Sequence, residues 1–273
     1  MFLGPWRAEK PGFERQLYLP DSHSTFGAGF VMDKAFISPS RSKVRKAGST
    51  LRDYVAGNAS EEEREEALRV IKLYRALHSR PMLLVNNQLR YHAQVTQVDA
   101  KVSQRLKREN TIVDKITNRE SKIDLSRMVD IGGLRVVVPS MDDLVKYHRV
   151  VAVALEGQIT ATKDYVANPR PSGYRAIHLH IKRDGVQIEI QLRTQLMHAW
   201  AQLVESMSSI TRTNLKQDSS ETHLHNIAKD LAEIYSQVDQ GVLRPEEANQ
   251  KRESTLQEMA EEIMKMSEGT HNE

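Results

Sequence analysis

The sequence predicts an α+β fold, a β-sheet flanked by helices with helical extensions on both sides. Three observations carry this. Short segments rich in β-branched residues fall between residues 134 and 192. Apolar residues at helical spacing precede, interleave and follow them. The dipeptide Asp184-Gly185 separates two alternating segments, the strongest short signal for a two-residue hairpin turn. With 273 residues, 39% of them apolar, the chain can bury a sizeable core.

Residues 1–59 are rich in Gly, Pro and Ser, show no clear period and predict an irregular arm. Asn58-Ala59-Ser60-Glu61 then opens a helix, since Asn or Ser can cap and the following acids suit the positive end of the helix dipole. Ala67, Val70, Ile71, Tyr74 and Leu77 continue it to Arg80-Pro81. A second helix is expected from about Met82 through the 90s toward Val102. A third, short and led by Thr111, turns Ile112 and Ile116 inward and Lys115 and Arg119 sideways. Leu134–Val138, bounded by Gly132-Gly133 and Pro139, predicts a strand. Asp142 to Leu155 predicts a helix. Ile159–Thr162, Ala176–Lys182 and Val186–Leu192 predict three more strands. A helix follows from Gln195 to about Ser208, and residues 221–266 predict two amphipathic helices broken near Gly241–Pro245. The boundaries drawn are an arm at 1–59, a domain at 60–210 with its core at 100–210, and a helical extension at 211–273. In that extension Leu231, Ile234, Tyr235, Val238, Leu256, Met259 and Ile263 form a stripe suited to core packing.

Counting outward from the turn fixes a register. Ile181 faces Ile188, Leu179 faces Ile190 and Ile177 faces Leu192. On the other face His180 lies opposite Glu189, His178 opposite Gln191 and Lys182 opposite Gln187. Every pair matches in polarity. One reading of the polar face is a half-exposed sheet surface. Another is a site. Two imidazoles pointing the same way suit a metal, but no third ligand has helpful spacing, so zinc is not expected.

The composition excludes several classes. Without cysteine there are no disulfides, thiolate zinc sites or cysteine nucleophiles. The first residues lack the apolar run of a signal peptide, and no window approaches a membrane span, so the expectation is a cytoplasmic protein with no membrane partner. Net charge is +3, too mild for a dedicated DNA binder. Basic residues crowd 34–52 and 105–122, which suggests local phosphate sites. The acidic run 61–66 reads as a solvated helix face.

Four separated segments resemble, in order, the RelA/SpoT-type alarmone synthetase domain. They are Ser126-Arg127-Met128-Val129-Asp130-Ile131-Gly132-Gly133-Leu134-Arg135, Lys163-Asp164-Tyr165, Ser172-Gly173-Tyr174-Arg175-Ala176-Ile177-His178, and Glu189-Ile190-Gln191-Leu192-Arg193-Thr194. The run Arg105-Leu106-Lys107…Thr111-Ile112…Lys115 is similar to that family's ATP-binding segment. The resemblance implies a mixed sheet of nucleotidyltransferase type, and transfer of the β,γ-pyrophosphate of ATP to a nucleotide 3′-hydroxyl with release of AMP. It implies Mg2+, with Asp130 and Glu189 as metal-binding and catalytic carboxylates, Glu189 sharing the metal or taking the hydroxyl proton. Arg105, Lys107, Thr111, Lys115 and Arg135 would bind ATP. Lys163, Ser172, Tyr174, His178 and Gln191 would bind the acceptor, with the Tyr174 ring stacked on its base. Arg119 lies near a further family position.

Two departures bear on the acceptor. Ser172 stands where the family commonly carries an Asn that contacts guanine. The helix after Thr194 carries Val204-Glu205 in place of Leu-Glu-His, with Trp200 as a core anchor and Glu205 at the site edge. Three functions follow as expectations. The first makes (p)ppGpp from GDP or GTP. The second is a toxin that modifies the 3′ end of tRNA and is matched by an antitoxin protein. The third is a non-catalytic nucleotide- or RNA-binding protein. A homo-oligomer is compatible with each. No His-Asp dipeptide is present, so the hydrolase of the long bifunctional enzymes has no visible motif.

Overall fold

The computed structural model describes residues 38–120, 122–211, 215 and 222–269. Its elements run α1 (Arg41–Val55), α2 (Glu61–Ala76), α3 (Ser79–Thr96), β1 (Lys101–Leu106), α4 (Glu109–Asp114), β2 (Gly132–Val138), α5 (Met141–Ala154), β3 (Ile159–Asp164), β4 (Ile177–Arg183), β5 (Val186–Thr194), α6 (Gln195–Thr211), α7 (His223–Asp239) and α8 (Pro245–Gly269). A π-helical turn, Lys115–Arg119, extends α4, and a 3-10 turn, Leu125–Arg127, precedes β2. The five strands form one mixed sheet in the order β1-β2-β5-β4-β3, with β2 and β5 parallel and the other neighbours antiparallel. The α+β expectation holds.

One sheet face carries the main core. Leu134, Val136, Leu179, Ile188, Ile190 and Leu192 meet Met82, Val85 and Leu89 of α3 and Leu144, Tyr147 and Val151 of α5. Tyr147 is fully enclosed and donates its hydroxyl to Leu89 O at 2.6 Å, so its polar end is satisfied. The hairpin register is the predicted one at all six pairs. Asp184 and Gly185 take φ of 49° and 83°, the left-handed conformations that a primed turn requires.

Three expectations need correction. Residues 41–55 of the supposed irregular arm are a helix, capped by Ser40. Its buried stripe is Val44, Ala47, Gly48 and Leu51, two of them too small to register as a hydrophobic period. Residues 1–37 of that arm lie outside the described residues. The second helix does not reach Val102. It stops at Thr96 on the left-handed Gln97 (φ 54°), and Lys101–Leu106 is an edge strand. That strand buries only Val102 fully, so its sequence lacks strand-like alternation. Finally, Arg80-Pro81 ends no helix. α2 stops at Ala76 and Pro81 sits in the first turn of α3, where its missing N–H would have had no partner.

The two N-terminal charge runs meet one another. Ser60 and Glu63 form a capping box at the start of α2, and Glu66 further along pairs with Lys43 of α1 at 3.1 Å. The C-terminal helices build a second core with α6, where Leu231 and Met259 are fully buried against Trp200, Val204 and Tyr174. The packing expected for that stripe is what these residues do.

Where α7 ends, Asp239 Oδ2 accepts from Thr194 Oγ1 at 2.6 Å. Burial raises the Asp239 carboxyl above its ordinary value, against the opposing pull of Thr194 and Arg175. The folded state therefore holds this proton more tightly than the unfolded chain. Stability falls as pH rises through the raised value, and the cost persists above it. Asp239→Asn keeps the acceptor and removes the charge. The variant should melt higher than the parent at pH 7, and the difference should shrink as pH falls toward 3.8. A lower melting temperature at pH 7 would count against this.

Candidate active site

The second sheet face is where the polar residues gather, and the register explains how. Directly paired residues point to the same side of a sheet. One rung reads Ser103, Arg135, Gln191, His178 and Lys163 across the five strands. The next reads Arg105, Gly133, Glu189, His180 and Ala161. Residues 56 positions apart in sequence, such as Arg135 and Gln191, thus become neighbours because the strands align. Gly133 leaves the space beside Glu189 open, since a Cβ there would meet nothing nearer than Arg105 O at 3.8 Å.

Above these rungs lies a cavity of about 280 Å3 lined by Ser103, Gln104, Arg105, Lys107, Asp130, Gly133, Leu134, Arg135, Glu189, Gln191, Gln202 and Glu205. It brings together the two predicted carboxylates with Arg105, Lys107, Arg135 and Gln191. Asp130 precedes β2 at the cavity rim. Its Oδ2 accepts from Lys107 Nζ at 3.1 Å and from Lys115 Nζ at 3.0 Å. Burial opposes its ionisation, but the two ammonium groups prevail and hold the carboxyl below its usual range. Its Oδ1 is buried and has no hydrogen-bond partner. Lys115 stands behind Asp130, outside the cavity lining, and also reaches Glu120 at 3.5 Å. Thr111 lies on α4 away from the cavity, and Arg119 turns aside to Asp114 at 2.6 Å.

Glu189 is fully engaged. Its Oε1 lies 3.0 Å from His178 Nδ1 and 3.5 Å from His180 Nε2, and its Oε2 accepts from Gln191 Nε2 at 2.8 Å. Burial opposes ionisation here too, but the two imidazoles and the amide drive the carboxyl far below its ordinary range. Burial lowers His178 more than Glu189 raises it. The pair at neutral pH is therefore an anionic carboxylate and a neutral imidazole. Arg135 and Arg193, two positions apart across the seam, bring like charges together. Burial first and Arg193 second weaken Arg135's hold on its proton, and its buried Nε has no hydrogen-bond acceptor. An anion in the cavity would relieve both.

The residues assigned to the acceptor divide. Gln191 lines the cavity and Lys163 is exposed on the edge strand β3. Ser172, Tyr174 and His178 are 2%, 7% and 8% exposed; the first two belong to the loop joining β3 to β4 and the third to β4 itself. The polar face is thus covered, not half open. Tyr174 is held edge-on by Tyr165 and His178, with Trp200 tilted against it. The guanidinium groups of Arg170 and Arg193 lie over its ring, 5.8 and 5.1 Å from the centroid. Its hydroxyl lies 2.6 Å from His178 Nε2 and accepts from Arg193 at 2.7 Å. With both guanidinium groups over it and 7% exposure, the ring has no open face for a stacked base in this structure, and Ala232 of α7 packs against the adjacent Gly173. Sequence reasoning left Ser103, Gln104 and Gln202 out of the site. Ser103 and Gln104 were hidden with β1, whereas Gln202 lies one turn before Glu205 on α6, a spacing that could have found it.

Comparison with known proteins agrees with this geometry. Residues 104–209 match the family described as a region found in RelA / SpoT proteins. The GTP pyrophosphokinase YwaC of Bacillus subtilis is 28% identical over 151 residues, covering 51% of this chain and 70% of that protein. A GTP pyrophosphokinase of Haemophilus influenzae is 33% identical over 86 residues, which span 31% of this chain and only 12% of that protein. Among solved structures, small alarmone synthetase 1 from Bacillus subtilis bound to its product pppGpp superposes with a TM-score of 0.51 at 22% identity, over 59% of this chain and 89% of that one. That likeness is one of fold. No described helix is long and apolar enough to cross a membrane. Both carboxylates, the cavity lining except Ser103, and all five strands but the first three residues of β1 lie inside the segment that matches the RelA/SpoT family.

Proposed function

We propose that this chain is an ATP-dependent pyrophosphokinase that transfers the β,γ-pyrophosphate of ATP to the 3′-hydroxyl of GDP or GTP. The observation that carries the reading is the cavity itself. It places the free Oδ1 of Asp130 and the anionic Glu189 among Arg105, Lys107 and Arg135, a lining suited to a polyphosphate. The relatives named GTP pyrophosphokinase support a guanine nucleotide as acceptor.

Transfer forms a bond between the acceptor 3′-oxygen and the β-phosphorus and breaks the bond from that phosphorus to the bridging oxygen of AMP. The hydroxyl proton passes to solvent water as the new bond forms. Arg105, Lys107 and Arg135 supply fixed positive charge where negative charge builds on the phosphates and on departing AMP. Glu189 is held anionic by the two imidazoles and the amide around it. Its part is to orient the acceptor hydroxyl and hold negative charge beside it. The donor set fits Mg2+, since Asp130 Oδ1 is a hard oxygen without a partner. When bound, Mg2+ would be held by Asp130 with Glu189 close by and would neutralise phosphate charge.

The test is transfer from γ-labelled ATP with Mg2+, offered GDP, GTP and deacylated tRNA side by side. Labelled guanosine tetra- or pentaphosphate is expected. No label on any guanine nucleotide would overturn the assignment, and label on tRNA in their place would move the acceptor to the RNA 3′ end.

A further inference from the structure

The geometry points to a second metal position, formed by His178, His180 and Glu189, for a transition-metal ion of the zinc class. We propose that filling it withdraws Glu189 from the transfer site. The inhibitory half rests on the function proposed above, whereas the binding half does not.

The sequence offered two histidines and no third ligand. The fold supplies it from the neighbouring strand. His178 and His180 alternate on β4 and so share a face, and Glu189 is the cross-strand partner of His180. One carboxylate oxygen stands 3.0 Å from His178 Nδ1 and 3.5 Å from His180 Nε2, and the three ligand atoms lie within 4.8 Å of one another. A tetrahedral ion with ligand bonds of about 2.0–2.1 Å sets its ligand atoms roughly 3.3 Å apart. The two short separations bracket that value, so an ion needs only a small opening of the cluster. Among the described residues no other histidines, cysteines or acids converge in a group of three or more.

The surroundings are those of a built site. The three side chains are 10%, 9% and 14% exposed. Outer contacts of the kind metal ligands need are in place for Glu189 and His178. Gln191 holds the far oxygen of Glu189, and Arg193 holds the Tyr174 hydroxyl that touches His178 Nε2. Without an ion, His178 Nδ1–H donates to Glu189, so Tyr174 donates to Nε2. With an ion, the proton moves to Nε2 and the Tyr174 oxygen accepts it, so the imidazole stays neutral throughout. Two nitrogen donors disfavour Mg2+, which demands oxygen, and favour zinc-class ions. The position is thus chemically distinct from Asp130, a lone carboxylate whose hydrogen-bond partners are the ammonium groups of Lys107 and Lys115.

The experiment titrates Co2+, then competing Zn2+, into the purified full chain in excess Mg2+. Calorimetry and the visible absorption of Co2+ report binding and geometry. One equivalent of Co2+ with intense tetrahedral bands, displaced by Zn2+, is expected. His180→Gln should weaken binding by about 10–100-fold, whereas His148→Gln on α5 should not. Circular dichroism checks that each variant is folded. Should His180→Gln fail to fold, the histidine NMR signals of the parent decide, since Zn2+ must shift two imidazoles. Absence of saturable binding, or binding undiminished in folded His180→Gln, would overturn the site. Inhibition is read as a fraction of each protein's own metal-free rate, and binding without inhibition would overturn the second half. If the parent transfers no label at all, the functional reading fails while the Co2+ spectrum still decides the site.

Discussion

Replacing Asp130 by Asn should lower the rate of pyrophosphate transfer at least about a thousandfold, roughly 4 kcal/mol of transition-state stabilisation. Asp130 does two things at once. Its Oδ2 fixes Lys107 and Lys115, and its Oδ1 is the buried oxygen left for a cation. The amide keeps the shape and loses the charge on both. Lys107 and Lys115 are only 12% and 16% exposed, so stability should also fall, by about 1–3 kcal/mol. The diagnostic is how the loss divides between constants. Lys107, released from Asp130, remains in the cavity lining where it can meet the phosphates, so KM for ATP should stay level or fall while kcat collapses. Initial rates over a range of ATP, at a temperature where the variant is folded, provide the check. A kcat within tenfold of the parent would remove Asp130 from the chemistry.

Much of this site could be read from the sequence, and the reason is local. Asp184-Gly185 permits one turn geometry, and the polarity of six pairs then leaves one register. That is why the sequence alone puts His178, His180, Glu189 and Gln191 on one face. The cations were harder. Arg105 was legible as a candidate, but the strand carrying it was not, because an edge strand with one buried residue lacks the alternation that marks a strand. α1 escaped for a related reason, since Gly48 approaches Leu125 too closely to tolerate a larger side chain: a Cβ there would meet Leu125 Cβ at 3.0 Å. Closeness of that kind erases hydrophobicity from the sequence. The enclosure of Ser172 and Tyr174 lay beyond reach altogether. It depends on α7, more than fifty residues later in the chain, lying on one particular glycine.

That glycine carries the second large expected effect. Gly173 has φ of +86°, and a Cβ on it would meet Ala232 Cβ at 2.6 Å with Lys229 Cα at 3.5 Å. Gly173→Ala therefore suffers twice. The left-handed backbone costs about 1 kcal/mol, and the clash forces α7 outward at a cost of about 1–3 kcal/mol. A fall in melting temperature of roughly 5–10 °C is expected. The two costs separate in a double-mutant cycle. Adding Ala232→Gly should restore the clash component and leave the backbone component. Strictly additive effects in the cycle would show that α7 does not rest on this loop. Because Gly173 adjoins Tyr174, the single variant should also lose transfer activity, and the double variant should regain part of it.

The parallel seam between β2 and β5 has a consequence for the time at which activity appears. The β4–β5 hairpin closes across a two-residue turn, a microsecond event when isolated. Pairing Gly133 with Glu189 instead joins positions 56 residues apart, and the entropy of closing so long a loop must be met before any contact repays it. The anion-receptive cavity exists only once that seam has formed, since Arg135 and Asp130 arrive with one strand and Glu189 and Gln191 with the other. A refolding chain should regain its hairpin early and its nucleotide binding late, so a destabilised or nascent protein is protected from acting before it is whole.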